Sequence, residues 1–306
     1  MKLSPVLILI LLFVPVQSHT QFSNQTKEDL PYTTAHGVTV QILSRKISNN
    51  FDDHPLGSGA WVGKGHYFIT CNHVVKAMPP GHELFAVFIY SPTTTVPGDS
   101  LTIAGLKVMT EIPVTIAAVD EQTDVAILHS AEDPILALTQ HPAGGINSEI
   151  PERPATDHGA TLETNGPRIG ESLLLAEYPV DGNVLVVQSA TATGVLFGRD
   201  PNRGNSKILL SLFANKGLSG GPVFNSQGKV VGLMEGYETV ADLNEAGNRT
   251  VACSLAKIGR DGQIVKGPFG EPIVEVTNCA TNSGLSYVVP AKFIAELVKK
   301  NNINLD

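Results

Sequence analysis

The chain has 306 residues, of which 42 % are hydrophobic and 16 % charged, with 29 glycines and 20 prolines. That is enough apolar material for a core, and the low charge excludes a disordered chain. The net charge is −8, and no run of five Lys or Arg residues occurs, which excludes a nucleic-acid binder that tracks phosphates.

Met1-Lys2 is a positive start, Val6 to Val14 is an apolar run free of charge, and Val16-Gln17-Ser18 has the form of a cleavage site. Residues 1–18 are therefore expected to be a signal peptide. The run is shorter than the roughly 20 apolar residues that a bilayer core needs, and no later segment is longer, so no stable membrane span is expected. The implied destination is secretion, or the periplasm of a Gram-negative host. Residues 19–35 are polar and mixed, and read as an N-terminal arm.

Short β-rich runs follow, separated by turn formers. Val38 to Leu43 is the first. Ala60-Trp61-Val62, the turn Gly63-Lys64-Gly65, and Tyr67 to Thr70 read as a hairpin. His82-Glu83 reads as a turn after Pro79-Pro80-Gly81. Leu84 to Tyr90, Leu101 to Met109, Val114 to Val119 and Val125 to Leu128 are further strands. Residues 139–168 are rich in Pro, Gly, Thr and Glu and read as a linker or exposed loop. Strands resume at Ser172 to Ala176, Val184 to Gln188, Thr193 to Phe197, Lys207 to Phe213, Pro222 to Phe224 and Lys229 to Met234. Residues 237–283 read as an insertion, and Leu285 to Val289 as the last strand. Pro290 opens a helix, with Phe293, Ile294, Leu297 and Val298 on one face. The pattern is two β modules, 36–138 and 169–306, as sandwich or barrel, with a C-terminal helix.

Three cysteines occur, Cys71, Cys253 and Cys279. An odd number in an exported chain allows one internal bridge. Cys253 and Cys279 share a late segment and are the expected pair, while Cys71 lies in an apolar run and reads as a buried small hydrophobe. Asn24 and Asn248 head Asn-x-Thr glycosylation sequons. No metal-ligand spacing such as H-E-x-x-H or C-x-x-C is present, and no metal or cofactor is expected.

Asn215-Lys-Gly-Leu-Ser219-Gly-Gly-Pro222 sets a serine among glycines, as a nucleophile in a tight turn requires. The string also satisfies the G-x-S-x-G elbow of α/β-hydrolases, whose base follows the serine. All nine histidines precede Ser219, so that fold is excluded and the order His, Asp, Ser remains. His73 follows the strand Phe68-Ile69-Thr70 and is the candidate base. Asp124 heads Val125-Ala126-Ile127-Leu128 and is the favoured partner; Asp120 competes with it.

These islands resemble the trypsin/chymotrypsin clan of serine proteases, and are most similar to its HtrA (Do-like) branch. They are Gly57-Ser58-Gly59 with Ile69 to Val75, Thr123 to Leu128, and Asn215 to Pro222 with Gly228 to Gly232; Gly284 to Pro290 resembles the last barrel strand. The resemblance implies an all-β fold of two antiparallel six-stranded barrels and a C-terminal helix. It implies that His73 is the general base, Asp124 its orienter and Ser219 the nucleophile, with the N–H groups of Gly217 and Ser219 as oxyanion hole. The pocket floor would be Phe213 and its walls Leu233, Met234, Glu235 and Ser286. With no Asp at the floor, a small or medium apolar P1 residue is expected; Glu235 is either a solvated loop charge or a bias toward a basic residue. Leu218 replaces the Asp that pairs with a freed amine in digestive relatives, so activation of that kind is not expected. Too few residues follow Val289 for the PDZ domain that many HtrA relatives carry. The expected protein is a secreted serine endopeptidase acting on protein or peptide, its oligomeric state unspecified. A catalytically silent binding protein of the same fold and a secreted esterase are the alternatives.

Overall fold

The computed structural model describes residues 30–47, 53–90, 108–140, 158–179, 185–196, 206–212, 218–240, 252–256, 274–278 and 281–305. The first half runs α1 (Leu30–Val38), β1 (Thr39–Lys46), β2 (Asp53–Val62), β3 (Tyr67–Cys71), α2 (Asn72–Lys76), β4 (His82–Tyr90), β5 (Val108–Asp120), β6 (Val125–His129) and α3 (Pro134–Gln140). Its six strands close an antiparallel barrel in the order β1-β2-β3-β6-β5-β4. The second half runs β7 (Ser172–Glu177), β8 (Val186–Leu196), β9 (Lys207–Ser211), β10 (Pro222–Phe224), β11 (Val230–Val240), β12 (Ala252–Ala256), β13 (Val274–Asn278), β14 (Thr281–Pro290) and α4 (Ala291–Lys300). It closes a second barrel in the order β10-β11-β14-β9-β8-β7, and β12 and β13 pair as a two-stranded sheet. The fold is thus two six-stranded antiparallel barrels with a C-terminal helix.

Period-two alternation decides which side chains meet. On β7, Leu173 and Leu175 join the core of the second barrel, while Leu174 and Ala176 face the other way into a larger core. That larger core is shared. Trp61, Phe68, Phe88 and Ile112 of the first barrel pack in one cluster with Phe224, Leu233 and Val289 of the second. Helix α4 seals it with Phe293, Ile294 and Leu297, the stripe expected from helical spacing. Lys299 and Lys300 lie in its last turn, where cations suit the helix dipole.

Several elements differ from the sequence reading. Leu30–Val38, which spans the end of the expected arm, is helical, with Ala35, Gly37 and Val38 buried. Its own propensity is weak, and it is held by packing against β7, β10 and β2. His82 and Glu83 open a strand because they pair with Lys46 and Arg45 of β1. The two strands expected on either side of residues 189–192 are one continuous strand, β8, which absorbs an irregularity between Ala192 and Gly194. β11 and β14 extend to Val240 and Thr281, so the ends of the expected insertion continue barrel strands. Within the expected linker, residues 158–163 bridge the barrels: Val62 pairs with Ala160, and Leu162 with Val230. Leu101–Lys107 lies outside the described residues, as do 1–29, Asn24 and Asn248. Among the described residues, no helix is long and apolar enough to cross a membrane.

Candidate active site

His73 sits in the first turn of α2, which follows β3 directly. The helix starts here because Asp124 supplies partners for its free N–H groups. Asn72 N–H donates to the Asp124 carbonyl (3.0 Å), and His73 N–H donates to Asp124 Oδ1 (2.9 Å). The second carboxylate oxygen, Oδ2, lies 2.6 Å from His73 Nδ1. An ionised carboxylate only accepts, so Nδ1 carries the proton and Nε2 presents a lone pair. To reach around the helix start, Asp124 adopts φ = 60°. Asp tolerates this left-handed conformation better than most residues, and such strain clusters at functional sites. Asp120 does not reach the histidine; its Oδ1 accepts from Gln122 N–H and caps the β5–β6 turn.

Ser219 enters from the second barrel. Its turn is pinned on both sides of the seam: Ser58 N–H donates to the Ser219 carbonyl at 2.8 Å, and Gly220 N–H donates to the Met234 carbonyl at 2.7 Å. Gly220 has φ = 84°, and a Cβ there would meet the Ser58 carbonyl oxygen at 2.1 Å and Thr70 Oγ1 at 2.2 Å. Only glycine fits. Leu218, where digestive relatives place an Asp, is buried in the second barrel's core and anchors the turn apolarly. Among the described residues, the Ser219 hydroxyl makes one hydrogen bond, donating to the Glu235 carbonyl at 3.2 Å. His73 is half exposed, and Ser219 is partly buried.

Of the expected pocket residues, Leu233 and Met234 are wholly buried, in the shared core and the second core respectively. Ser286 is buried too, its hydroxyl donating to the Leu212 carbonyl at 3.0 Å. Glu235 is neither a solvated loop charge nor a free acid: it lies on β11 and pairs with Lys207 of β9. Phe213 and Gly217 lie outside the described residues. Cys253 lies on β12, and Cys279 lies outside the described residues.

Three groups beside the site make contacts that no local sequence pattern signals, although Cys71 is buried as expected. Ser58 is fully buried, and its hydroxyl accepts from Tyr178 N–H at 2.8 Å, tying the barrels together. Glu177, at the end of β7, is wholly buried near the serine turn, where a Cβ added to Gly221 would stand 3.2 Å from the Glu177 Cβ. Burial pushes its carboxyl up to about 7, partly offset by the hydrogen bond from Gln188 Nε2. Cys71 is a free, buried thiol that donates to the Met234 carbonyl at 3.3 Å. Burial and the nearby carboxylates of Asp124 and Glu235 push that thiol well up. An alternating strand pattern reports burial, not what lies across a barrel seam.

A sequence profile described as a trypsin-like peptidase domain matches residues 57–233. No curated protein matches the chain. Among solved structures, the HtrA-type protease AlgW with a tripeptide is 15 % identical at a TM-score of 0.48, covering 90 % of this chain and 64 % of that one. AlgW with a decapeptide is 15 % identical at a TM-score of 0.50, covering 90 % of this chain and 67 % of that one. The active form of the Rv3671c protease from M. tuberculosis is 15 % identical at a TM-score of 0.49, covering 92 % and 88 %. The chain thus spans 64 % of the length of the first of these structures, and at such identities the likeness is one of fold. The profile reaches from the glycines ahead of His73 to the strand behind Ser219, more than half of the chain, and the chain belongs to the trypsin-like peptidase family.

Proposed function

We propose that the chain is a serine endopeptidase in which His73, Asp124 and Ser219 cooperate across the barrel seam. The observation that carries this reading is the 2.6 Å contact between His73 Nδ1 and Asp124 Oδ2, which fixes the tautomer that a general base needs. The Ser219 hydroxyl leaves the Glu235 carbonyl by rotating about its Cα–Cβ bond and donates to His73 Nε2. Oγ then attacks the substrate carbonyl as Nε2 takes its proton. Asp124 stabilises the imidazolium that forms. The oxyanion rests on the N–H groups of Ser219 and Gly217. His73 next protonates the leaving amine, and water cleaves the acyl-enzyme by the same steps in reverse order.

The favoured substrate carries a small or medium apolar P1 residue. Supporting this, Glu235, the acid among the expected pocket walls, is already paired with Lys207, and Phe213 brings no charge to the floor. Residues 1–18 act as a signal peptide that directs the enzyme to secretion or the periplasm, a reading supported by their charge and apolar pattern.

A fluorophosphonate probe tests the assignment. Labelling of the folded protein, mapped to Ser219 and lost in Ser219→Ala together with peptide turnover, is the expected result. A folded chain that resists the probe and leaves peptides intact would instead be a binding protein of the same fold.

A further inference from the structure

Three metal-ligating side chains of different chemistry converge behind the imidazole. Cys71 Sγ, a ring nitrogen of His73 and a carboxylate oxygen of Asp124 all lie within 4.8 Å of one another. They come from the end of β3, from α2 and from the turn before β6. Cys71 packs within the shared hydrophobic core, and its sulfur also has a polar partner. It points across the seam, where it donates to the Met234 carbonyl at 3.3 Å. It carries no disulfide. The imidazole is 46 % exposed and the carboxylate 18 % exposed, so an ion can approach from the cleft side and meet the buried thiol behind them.

We propose that Cys71, His73 and Asp124 form an inhibitory site for a thiophilic divalent cation, zinc in the first instance. Thiolate, imidazole and carboxylate are zinc's own ligand classes, at about 2.3, 2.0 and 2.1 Å. Ligand atoms on one tetrahedral ion sit about 3.3–3.6 Å apart, so the 2.6 Å pair of His73 Nδ1 and Asp124 Oδ2 must open, and any pair near the 4.8 Å limit must close, by side-chain rotation. Water fills the fourth position. Magnesium and calcium, which favour oxygen ligands throughout, are poor occupants.

On binding, the Cys71 S–H bond breaks, the proton leaves to solvent, and the thiolate takes the metal. If His73 binds through Nδ1, its ring proton moves to Nε2; if through Nε2, the metal occupies that lone pair. In both cases Nε2 no longer accepts a proton from Ser219. The inhibition therefore rests on the reading of His73 as the base, whereas the binding does not.

The test uses the full chain in two arms. In the first, cobalt(II) is added to a Ser219→Ala variant that also carries Cys253→Ser and Cys279→Ser, so that Cys71 is its single thiol. One equivalent should give a thiolate-to-cobalt charge-transfer band that zinc displaces and that a further Cys71→Ser change removes. In the second, zinc should lower peptide turnover by the otherwise unaltered chain at least tenfold, reversibly by chelator. Cys71→Ser, compared with its own zinc-free rate, should lose that sensitivity. Absence of the cobalt band overturns the proposal, and so does equal zinc inhibition with and without the thiol. Should Cys71→Ser fail to fold, the zinc-edge X-ray absorption spectrum of the triple variant decides: a sulfur scatterer supports the site, and nitrogen and oxygen alone overturn it. A cobalt band in the triple variant, with the unaltered chain left unlabelled by fluorophosphonate, would keep the site and discard the hydrolase.

Discussion

A Cβ placed on Gly57 would stand 2.7 Å from the carbonyl oxygen of Ser219. The two residues belong to different barrels, and the neighbouring Ser58 N–H holds that same oxygen at 2.8 Å. Gly57→Ala must therefore push the serine turn away from the first barrel, since Val74 closes the other side at 2.9 Å. Displacement of a reacting group by about 1 Å costs on the order of 10²-fold in rate. Peptide turnover by Gly57→Ala is expected to fall by about that factor in kcat, with the circular dichroism spectrum unchanged. A variant with wild-type turnover would show that the seam yields elsewhere.

Asp124→Asn keeps the size of the side chain but presents an amide to His73 Nδ1. The imidazole then favours the wrong tautomer, and kcat should fall by about 10⁴-fold at neutral pH. Asp120→Asn, which touches only the turn at Gln122, should stay within a few fold of wild type. Steady-state kinetics of the pair separates the two acids.

Glu177 makes stability depend on pH. An ordinary glutamate titrates near 4.5, and this one is pushed up to about 7. Between those values the folded state keeps a proton that the unfolded chain has lost. The stabilisation is thus complete below about 4.5 and is lost as pH rises to about 7. The full difference is roughly 3 kcal/mol. The thermal midpoint of the native chain should fall across that window by on the order of 5–10 °C, and that of Glu177→Gln should not. Parallel pH profiles for the two proteins would refute the assignment.

Phe68 and Phe88 meet edge to face, with ring centroids 6.2 Å apart, inside the shared core. Phe68→Ala removes both that contact and the packing around it. It should cost about 3–5 kcal/mol in denaturant unfolding. A loss below 1 kcal/mol would mean that the surrounding core collapses into the space.

Much of this was legible in the residues. Trp61-Val62 and Tyr67-Phe68 flank a glycine turn and form the β2–β3 hairpin as expected, and α4 follows its apolar stripe. What escaped detection shares a cause. Leu30–Val38 carries two threonines and a glycine, and becomes helical only because β7 and β10 receive it. The strand through Gly194 was broken on paper because no local signal announces a bulge. At the site, His73 and Asp124 stood out by residue type and order, but the place of Cys71 beside them depends on the pairing of β3 with β6, and that of Glu177 and Ser58 on how one barrel lies against the other. Which strand residues turn to the core and which to a cleft was equally hidden, as the burial of Leu233 and Met234 shows.

The core common to both barrels has a consequence for durability. Neither half can shed its partner without exposing Leu174, Phe224 and Val289 on one side or Trp61 and Phe68 on the other. The molecule should consequently melt in a single cooperative step, and a nick in the backbone between Gln140 and His158 should leave two fragments clasped together.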